Sequence, residues 1–332
     1  MNDIHLIKAS QAIPILNTLE RIGAPVERLS SKSKMPLDVV RSKQGVIGEF
    51  SLWRFIELSA KSEGYSNLGY DCAQSNPIRT VGELGGFRMR MAPTLKVILE
   101  NFISDIRAEC TSTFYSLRHD NDATWFHRLQ PYGKQLASWQ AEQYIVTAII
   151  QIIRICAGTD WLPTHINISS TDSPLPLPAE WSKINVRWGC IATEIKIPDT
   201  VLALPPESLQ YSNQNHFCDE IDFPGSAPSF VDLIETQVHS GRLNLDHCVE
   251  ELGISKSTLK RRLGRMNTSY REVSEQVRFE LARQMLVNTE APVTEIAIDL
   301  GYEYPANFSR AFKRVSGMSP NKFRSMMDRR LY

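Results

Sequence analysis

The stretch that decides the C-terminal fold is written twice, as LDHCVEELGIS at residues 245–255 and as VTEIAIDLGYE at residues 293–303. Each copy spaces its apolar residues as one face of a helix and ends in a Leu-Gly pair followed by an apolar residue. Glycine ends a helix sharply because it adopts a positive φ at little cost. A second amphipathic segment begins shortly after each glycine. This order predicts two helix-turn-helix motifs, whose second helix enters the DNA major groove.

The charge of the chain is divided unevenly between its two ends. The 332 residues have a formal net charge of zero. Residues 252–332 hold 15 Lys and Arg against 8 Asp and Glu, a net charge of +7. Residues 1–251 hold 22 against 29, a net charge of −7. A basic domain on an acidic body is the distribution expected when one domain binds DNA.

The N-terminus and the cysteines favour a cytoplasmic protein. Residues 1–10, MNDIHLIKAS, lack the basic segment and apolar core of a signal peptide. The longest apolar-rich run, residues 145–157, is too short to cross a membrane and predicts a buried helix. The six cysteines lie far apart without a CxxC pair, which favours reduced thiols over a metal site or a redox switch. We therefore predict no cofactor, no metal and no membrane partner.

Residues 1–217 predict an N-terminal domain of mixed α/β (α+β) class. Periodicity predicts helices over residues 10–22 with Ser10 as cap, over 52–63 and 139–157, and from Pro93-Thr94 onward. It predicts strands over residues 111–118, 124–129, 165–169, 184–188 and 194–197. The Gly-rich segment 80–87 lacks the spacing of a phosphate-binding loop, so a tight turn or close helix packing is favoured. Helices around a small sheet suit a sensing or dimerisation domain.

The polar residues 218–229, with their Pro and Gly, predict a linker. Residues 230–332 beyond it predict an all-α domain. Its helices are expected over residues 230–239, in the two repeats, over 269–287 between them, and from Ser319-Pro320, where Pro suits a first helical turn.

The second helix of the first repeat is predicted over residues 256–266, with Ser255 as its N-cap. Leu259, Leu263 and Met266 recur on one face and are expected to pack inward. The outward side carries five candidate DNA-binding residues: Lys256, Ser257, Lys260, Arg261 and Arg265. Lys and Arg that meet phosphates release counterions, so binding should weaken with salt. Ser257, Lys260 and Arg261 are the best placed to reach base edges; a merely solvated basic face is the alternative.

In the second repeat Phe308 and Phe312 take the inward positions. The outward candidates for DNA binding are Ala306, Asn307, Ser309, Arg310 and Lys313. Asn can bond to adenine, and Arg to guanine, through paired hydrogen bonds. This helix is less basic than the first, and Tyr304-Pro305 places a bulky ring at its start. We therefore expect the second repeat to contact fewer bases than the first, or to sit more loosely on the DNA.

Roughly the last hundred residues resemble the AraC/XylS family of bacterial transcription regulators. The resemblance is carried by LGIS at 252–255, LKRRL at 259–263, ARQML at 282–286, IA at 296–297, LGY at 300–302, FSRAFK at 308–313 and GMSPNKFR at 317–324. It implies two helix-turn-helix subdomains joined by a central helix and entering successive major-groove segments. It also implies double-stranded DNA and RNA polymerase as partners, with activation as the favoured mode. Many members have Ser or Asp after the Gly-aromatic pair, where this chain has Glu303-Tyr304.

The first two hundred residues resemble the arabinose-binding-type N-terminal domain of one branch of that family. The residues concerned are LWRFIEL at 52–58, LG at 84–85, APTL at 92–95, VRW at 186–188 and IP at 197–198. The resemblance implies a small-molecule effector and a homodimer. The candidate ligand-binding residues are Trp53, Arg88, Trp125, His127 and Trp188, although a core aromatic or surface charge is the favoured interpretation of each.

Three hypotheses for function follow from these features. The favoured one is a cytoplasmic, sequence-specific DNA-binding regulator whose N-terminal domain senses a small molecule, dimerises, or does both. In the alternative, that domain is a ligand-independent dimerisation or protein-interaction module. An enzyme fused to a DNA-binding module is disfavoured, because the sequence shows no nucleophile elbow, metal-ligand cluster or phosphate loop.

Overall fold

A computed structural model of the chain describes residues 4–75, 92–112, 114–120, 123–129, 138–170, 177–206 and 227–328. The predicted Gly-rich segment 80–87 and most of the predicted linker 218–229 lie outside these residues. The proposed division of the chain into residues 1–217, 218–229 and 230–332 therefore stays a prediction. No helix in the described ranges is long and apolar enough to span a bilayer.

The N-terminal region begins with helices around an apolar core. They are α1 (Ile13–Arg21), α2 (Val26–Ser33), α3 (Leu37–Ser42), α4 (Glu49–Glu63) and α5 (Leu68–Ser75). Gly64 ends α4 in the left-handed conformation, with φ of 63°. The prediction that Ser10 caps the first helix is wrong. Pro14 sits in the first turn of α1, so that helix begins at Ile13, and Ser10 lies in a preceding 3-10 turn, Ala9–Ala12.

A two-stranded antiparallel ribbon, which the sequence did not predict, pairs β1 (Leu6–Lys8) with β2 (Val46–Gly48). Side chains alternate between the two faces of a strand. Ile7 and Ile47 belong to the N-terminal helical core. Leu6 and Val46 belong to the apolar core of the C-terminal helices. The ribbon therefore lies between two cores and contributes to both.

The rest of the N-terminal region is a sheet covered by helices. The strands are β3 (Phe114–His119), β4 (Thr124–Leu129), β5 (His165–Asn167), β6 (Asn185–Arg187) and β7 (Thr193–Ile197), in the order β3-β4-β7-β5-β6. Strands β5 and β6 are parallel, and the other neighbours are antiparallel. Helices α6 (Leu95–Asp105) and α7 (Trp139–Ala157) share an apolar core with one sheet face, and α8 (Asp199–Leu202) follows β7. The predicted helix 139–157 and strand 124–129 are confirmed.

The C-terminal region is entirely helical where it is described. Its helices are α9 (Phe230–His239), α10 (Leu245–Leu252), α11 (Lys256–Arg265), α12 (Tyr270–Asn288), α13 (Val293–Asp299), α14 (Pro305–Ser316) and α15 (Pro320–Asp328). Helices α10 and α11 form the first helix-turn-helix unit, and α13 and α14 form the second. The long helix α12 joins the two units. The predicted fold class, a mixed α/β N-terminal region with an all-α C-terminal domain, is confirmed.

Candidate nucleic-acid interface

The first helix-turn-helix unit is built around the turn at Gly253, whose φ is 64°. The Ser255 hydroxyl accepts a hydrogen bond from the Thr258 backbone N–H at 3.2 Å, which confirms the predicted N-cap of α11. Leu259 and Leu263 are buried in the C-terminal core, as predicted. The prediction that Met266 packs inward is wrong, because its side chain is 53% exposed. Helix α11 ends at Arg265, so Met266 no longer follows the helical period.

All five outward candidates of α11 are exposed: Lys256, Ser257, Lys260, Arg261 and Arg265. Lys256 forms an ion pair with Asp246 of α10. Within the described residues, Lys260 and Arg261 form neither an ion pair nor a side-chain hydrogen bond. These two exposed cations, near the start of the second helix of the unit, could meet phosphates or base edges without breaking an ion pair or hydrogen bond.

The second unit has the same backbone plan around Gly301, whose φ is 74°. Phe308 and Phe312 fill the inward positions, as predicted. The start of its second helix differs from that of α11. Tyr304 occupies the N-cap position without a side-chain hydrogen bond and is 58% exposed. Pro305 at the first turn lacks an N–H, which reduces the number of donors to be capped.

On the outward face of α14, two of the predicted DNA-binding residues are hydrogen-bonded to each other. Ala306, Asn307, Arg310 and Lys313 are exposed, and Ser309 is half-buried. The Arg310 guanidinium donates a hydrogen bond to the Asn307 side-chain oxygen at 2.7 Å. Arg314 behind them is paired with Glu275 of α12 at 2.8 Å. The predicted base contacts of Asn307 and Arg310 would therefore compete with this intramolecular bond.

Arg278 on α12 organises the second unit and was missed from the sequence. Its Nε donates a hydrogen bond to the Leu300 carbonyl oxygen at 3.1 Å, at the C-terminal end of α13. Its guanidinium carbon lies 4.8 Å from the centroid of the Tyr302 ring, a cation–π distance. The Tyr302 ring in turn packs on Phe308, 5.5 Å between centroids. The sequence feature that could have indicated this role is an Arg on the helix before a turn made of Gly and an aromatic residue.

The candidate ligand-binding residues of the N-terminal region do not form one site. Trp53 lies in the helical core, where its indole N–H donates to Glu49 Oε1 at 2.8 Å. Trp188 packs on Trp139 beside the other core, with ring centroids 5.0 Å apart. Trp125 and His127 lie together on β4. Arg88 falls outside the described residues.

The face of the sheet that carries Trp125 and His127 is polar. His127 Nδ1 lies 2.9 Å from Glu194 Oε1, and Asn167 donates to Glu194 Oε2 at 2.7 Å. Lys196 lies over the Trp125 ring, 5.7 Å from its centroid. This face, opposite the side chains of Phe126 and Ile195 in the core, brings together two of the five predicted ligand-binding residues. In the described part of the chain, no group of His, Cys, Asp and Glu is arranged to hold a metal ion.

Two pairs of helices, each with a glycine at its turn and joined by a long helix, are the architecture of a helix-turn-helix DNA-binding protein. The helix-turn-helix domain family matches residues 248–326. The ornithine utilization regulator of Pseudomonas aeruginosa is 38% identical over 81 residues, 24% of this chain and 24% of that protein. Regulatory protein SoxS of Salmonella typhimurium is 36% identical over 83 residues, 25% of this chain and 78% of that protein. The chain belongs to the AraC/XylS family of DNA-binding transcription regulators.

The sequence similarity to two full-length curated regulators extends over 81 and 96 residues of this chain. The chain spans 24% and 28% of the length of two curated Pseudomonas aeruginosa relatives that it matches, the ornithine utilization regulator and the regulator VqsM. The crystal structure of the transcriptional regulator CdpR from the same species has a TM-score of 0.44 and 17% identity, covering 95% of this chain and 98% of that chain.

Proposed function

We propose that this chain is a cytoplasmic, sequence-specific transcription activator that binds its operator mainly through helix α11. The observation that carries the proposal is the exposed face of α11, with its capped start and its two unpaired cations, Lys260 and Arg261. We assign DNA contacts to the predicted residues of both units: Lys256, Ser257, Lys260, Arg261, Arg265, Ala306, Asn307, Ser309, Arg310 and Lys313. RNA polymerase is the proposed partner of the DNA-bound protein.

We assign to the N-terminal region, residues 1–217, the sensing of a small molecule and the pairing of two copies. The arabinose-binding type of domain is the resemblance that motivates this assignment. The polar sheet face with Trp125, His127 and Glu194 supports it, because an aromatic ring beside hydrogen-bonding groups suits a small polar ligand. A ligand that prefers one arrangement of the protein would then shift DNA occupancy or polymerase contact.

One observation favours the alternative, a ligand-independent dimerisation or protein-interaction module. Trp53 and Trp188 lie against separate cores and do not join Trp125 and His127 in a common site. Thermal unfolding of the full chain against a metabolite panel separates the two proposals, because a specific ligand raises stability by mass action. A raised melting temperature with one compound class supports sensing. A tight dimer that no compound stabilises supports the alternative.

DNA binding by the full chain is tested by site selection from a randomised duplex pool. The affinity for the selected duplex is then measured over a range of salt concentrations. We expect log K to fall linearly with log salt, by about 0.9 for each phosphate contacted. Lys32→Ala is a matched control, because Lys32 is an exposed cation on α2 of the N-terminal region. Failure to select any sequence, or binding indifferent to salt, would overturn the proposed function.

A further inference from the structure

The N-terminal ribbon packs against the helices that begin the C-terminal domain. The main contacts between the two regions join β2 to α9 and α10, and α4 to α10. Leu6 and Val46 of the ribbon share one apolar core with Leu233 and Val249 of these helices. Burial of apolar surface on both sides favours a defined docked arrangement.

The backbone of β2 is completed by side chains from the C-terminal domain. The Val46 N–H donates to the Thr236 hydroxyl at 3.0 Å, and the Gly48 N–H donates to Glu251 Oε1 at 2.9 Å. The second carboxyl oxygen of Glu251 accepts a hydrogen bond from the Gln237 amide at 3.0 Å. Glu251 is only 1% exposed, although it lies on the first helix of a helix-turn-helix. Its carboxyl group thus joins α10 to the free edge of β2.

Two glycines mark how closely the regions approach each other. A Cβ on Gly48 would lie 2.5 Å from the Glu251 carbonyl oxygen, so this position has no room for a side chain. On the other side, a Cβ on Gly253 would lie 2.3 Å from Phe50 Cγ. The ring of Phe50 therefore covers the turn of the first unit. Exposed ion pairs of Asp38 with Arg242 and of Lys34 with Glu250 flank this contact.

Docking leaves the outward face of α11 open. Lys260, Arg261 and the other outward candidates on that helix remain exposed, whereas the docked part of the unit is the C-terminal end of α10 and the turn at Gly253. The contact therefore does not cover the DNA-binding residues. It instead determines where α11 lies relative to the N-terminal region.

We propose that Glu251 is a positioning residue, whose buried carboxyl group clamps the first helix-turn-helix unit to β2 and thereby places α11 for DNA. The position of the second unit is set by its packing on α12, through contacts such as the hydrogen bond from Arg278 to Leu300. A change in the N-terminal region that moved β2 would thus reach the first unit directly and the second only through α12. The inference rests on the proposed DNA binding by α11, but the docking itself is measurable without DNA.

The clamp is expected to depend on pH. Burial raises the pKa of the Glu251 carboxyl to about 7, from 4.5, against the opposing effect of its hydrogen bonds. The charged and titratable groups that act on it are Asp38 from the N-terminal region and Arg242 and His247 from its own domain. Lys34 and Glu250 act on His247. Burial and then Arg242 lower the pKa of His247, which favours the uncharged ring. Because burial raises the pKa of Glu251 above its ordinary value of 4.5, the stability that the folded, docked chain gains from protonated Glu251 is complete below that value and is lost as pH rises through about 7.

Hydrogen exchange of the full chain without DNA tests the clamp directly. We expect slow exchange of the amides in β2 and α10 at about pH 6 and faster exchange at about pH 8, after correction for the intrinsic rate. Glu251→Gln should retain slow exchange at both pH values. A neutral amide keeps an acceptor for the Gly48 N–H. When the Gln237 amide turns over, the new amide can donate to Gln237 Oε1, which has no hydrogen-bond partner among the described residues. Glu251→Ala and Gly48→Ala should lose protection in both segments at either pH.

Internal and matched controls separate undocking from unfolding. Strand β4 should keep its protection in every variant, because it belongs to another core. Glu295→Gln, which changes an exposed carboxylate on α13 of the second unit, should exchange like the wild-type chain. If Gly48→Ala left the exchange of α10 unchanged, or if Glu251→Gln kept the pH dependence of the wild type, the inference would be overturned.

DNA affinity completes the test. For the selected duplex, Glu251→Ala and Gly48→Ala should each raise Kd roughly tenfold, within the range typical of coupling between sites. Glu251→Gln should bind like the wild type at about pH 6 and better than it at about pH 8. Unchanged affinity in Glu251→Ala despite lost protection would overturn the positioning role. A wild-type chain that bound no DNA would contradict the proposed function, while the exchange data would still decide the docking.

Discussion

The two helix-turn-helix units share a backbone plan but have different neighbours. In the first, the turn glycine, Gly253, is covered by Phe50 from the N-terminal region. In the second, the nearest atom to a Cβ on Gly301 is a guanidinium nitrogen of Arg278, 3.6 Å away on the joining helix α12. The repeated Leu-Gly pattern accounts for the turn in both units. The turn of the first unit contacts the N-terminal region, whereas the turn of the second contacts α12.

The outward faces of the two units also differ, in the capping of their second helices and in the hydrogen bonds of their charged side chains. Helix α11 has a hydroxyl cap at Ser255, and within the described residues no carboxylate pairs with its exposed Lys260 or Arg261. Helix α14 has no side-chain cap, and Arg310 is bonded to its neighbour Asn307. We infer that the first unit supplies most of the DNA affinity. The second unit keeps the packing of the motif, and we propose that it acts mainly in positioning.

The largest expected effect comes from the core of the second unit. Phe308→Ala removes a buried ring and should destabilise the C-terminal domain by about 3–5 kcal/mol. Urea denaturation of the full chain measures this loss. Val315→Ala on the same helix is the control, because Val315 is exposed and its loss should change stability by less than about 0.5 kcal/mol. Hydrogen exchange should rise in α13 and α14 more than in α10 and α11. Equal acceleration in both units would show that they unfold as one.

A smaller effect is expected from Arg278, which holds the second turn. Arg278→Met keeps much of the aliphatic stem but loses the hydrogen bond to Leu300 and the cation–π contact with Tyr302. We expect a loss of about 1–2 kcal/mol in the free energy of unfolding. Arg283→Met is the matched control, because Arg283 is an exposed residue of the same helix paired with Glu280. The two variants should differ clearly in melting temperature, and equal melting would remove Arg278 from its assigned role.

The smallest effects should come from exchanging the helix caps. Ser255→Ala deletes the cap of α11 and should cost about 1 kcal/mol. Tyr304→Ser adds a hydroxyl at an N-cap position with extended backbone, φ −127° and ψ 126°. It should stabilise α14 by about 0.5–1 kcal/mol, because the exposed Tyr304 ring contributes little packing. Thermal unfolding of both variants should shift in opposite directions. A destabilising Tyr304→Ser would show that the ring is needed where it lies.

Local sequence patterns predicted the parts of this structure that depend on local contacts. Helix α7, strand β4, the Ser255 cap and the burial of Phe308 and Phe312 follow from periodicity and capping within a few residues. The prediction that Met266 is buried was wrong because periodicity does not show where a helix ends. The ribbon was missed because its strands are three residues long, too short for an alternating pattern.

The docking of the first unit could not be read from the sequence. Gly48 and Glu251, which make its central hydrogen bond, are 203 residues apart. Neither residue belongs to a pattern that identifies the other as its partner. Arg278 was missed for a related reason, since its contacts with Leu300 and Tyr302 depend on how α12 packs on α13. The positions of the ligand candidates likewise depended on tertiary packing.

The most direct test of the inequality between the units compares Arg261→Ala with Arg310→Ala on the selected duplex, with Lys32→Ala as control. Arg261→Ala should weaken binding by about 1–3 kcal/mol. It should also reduce the slope of log K against log salt by about 1, the change expected when one phosphate contact is lost. Arg310→Ala should weaken binding less, because Arg310 must first leave Asn307. Lys32→Ala should bind like the wild type. An equal or greater loss in Arg310→Ala would contradict the assignment of the first unit as the main DNA-binding element.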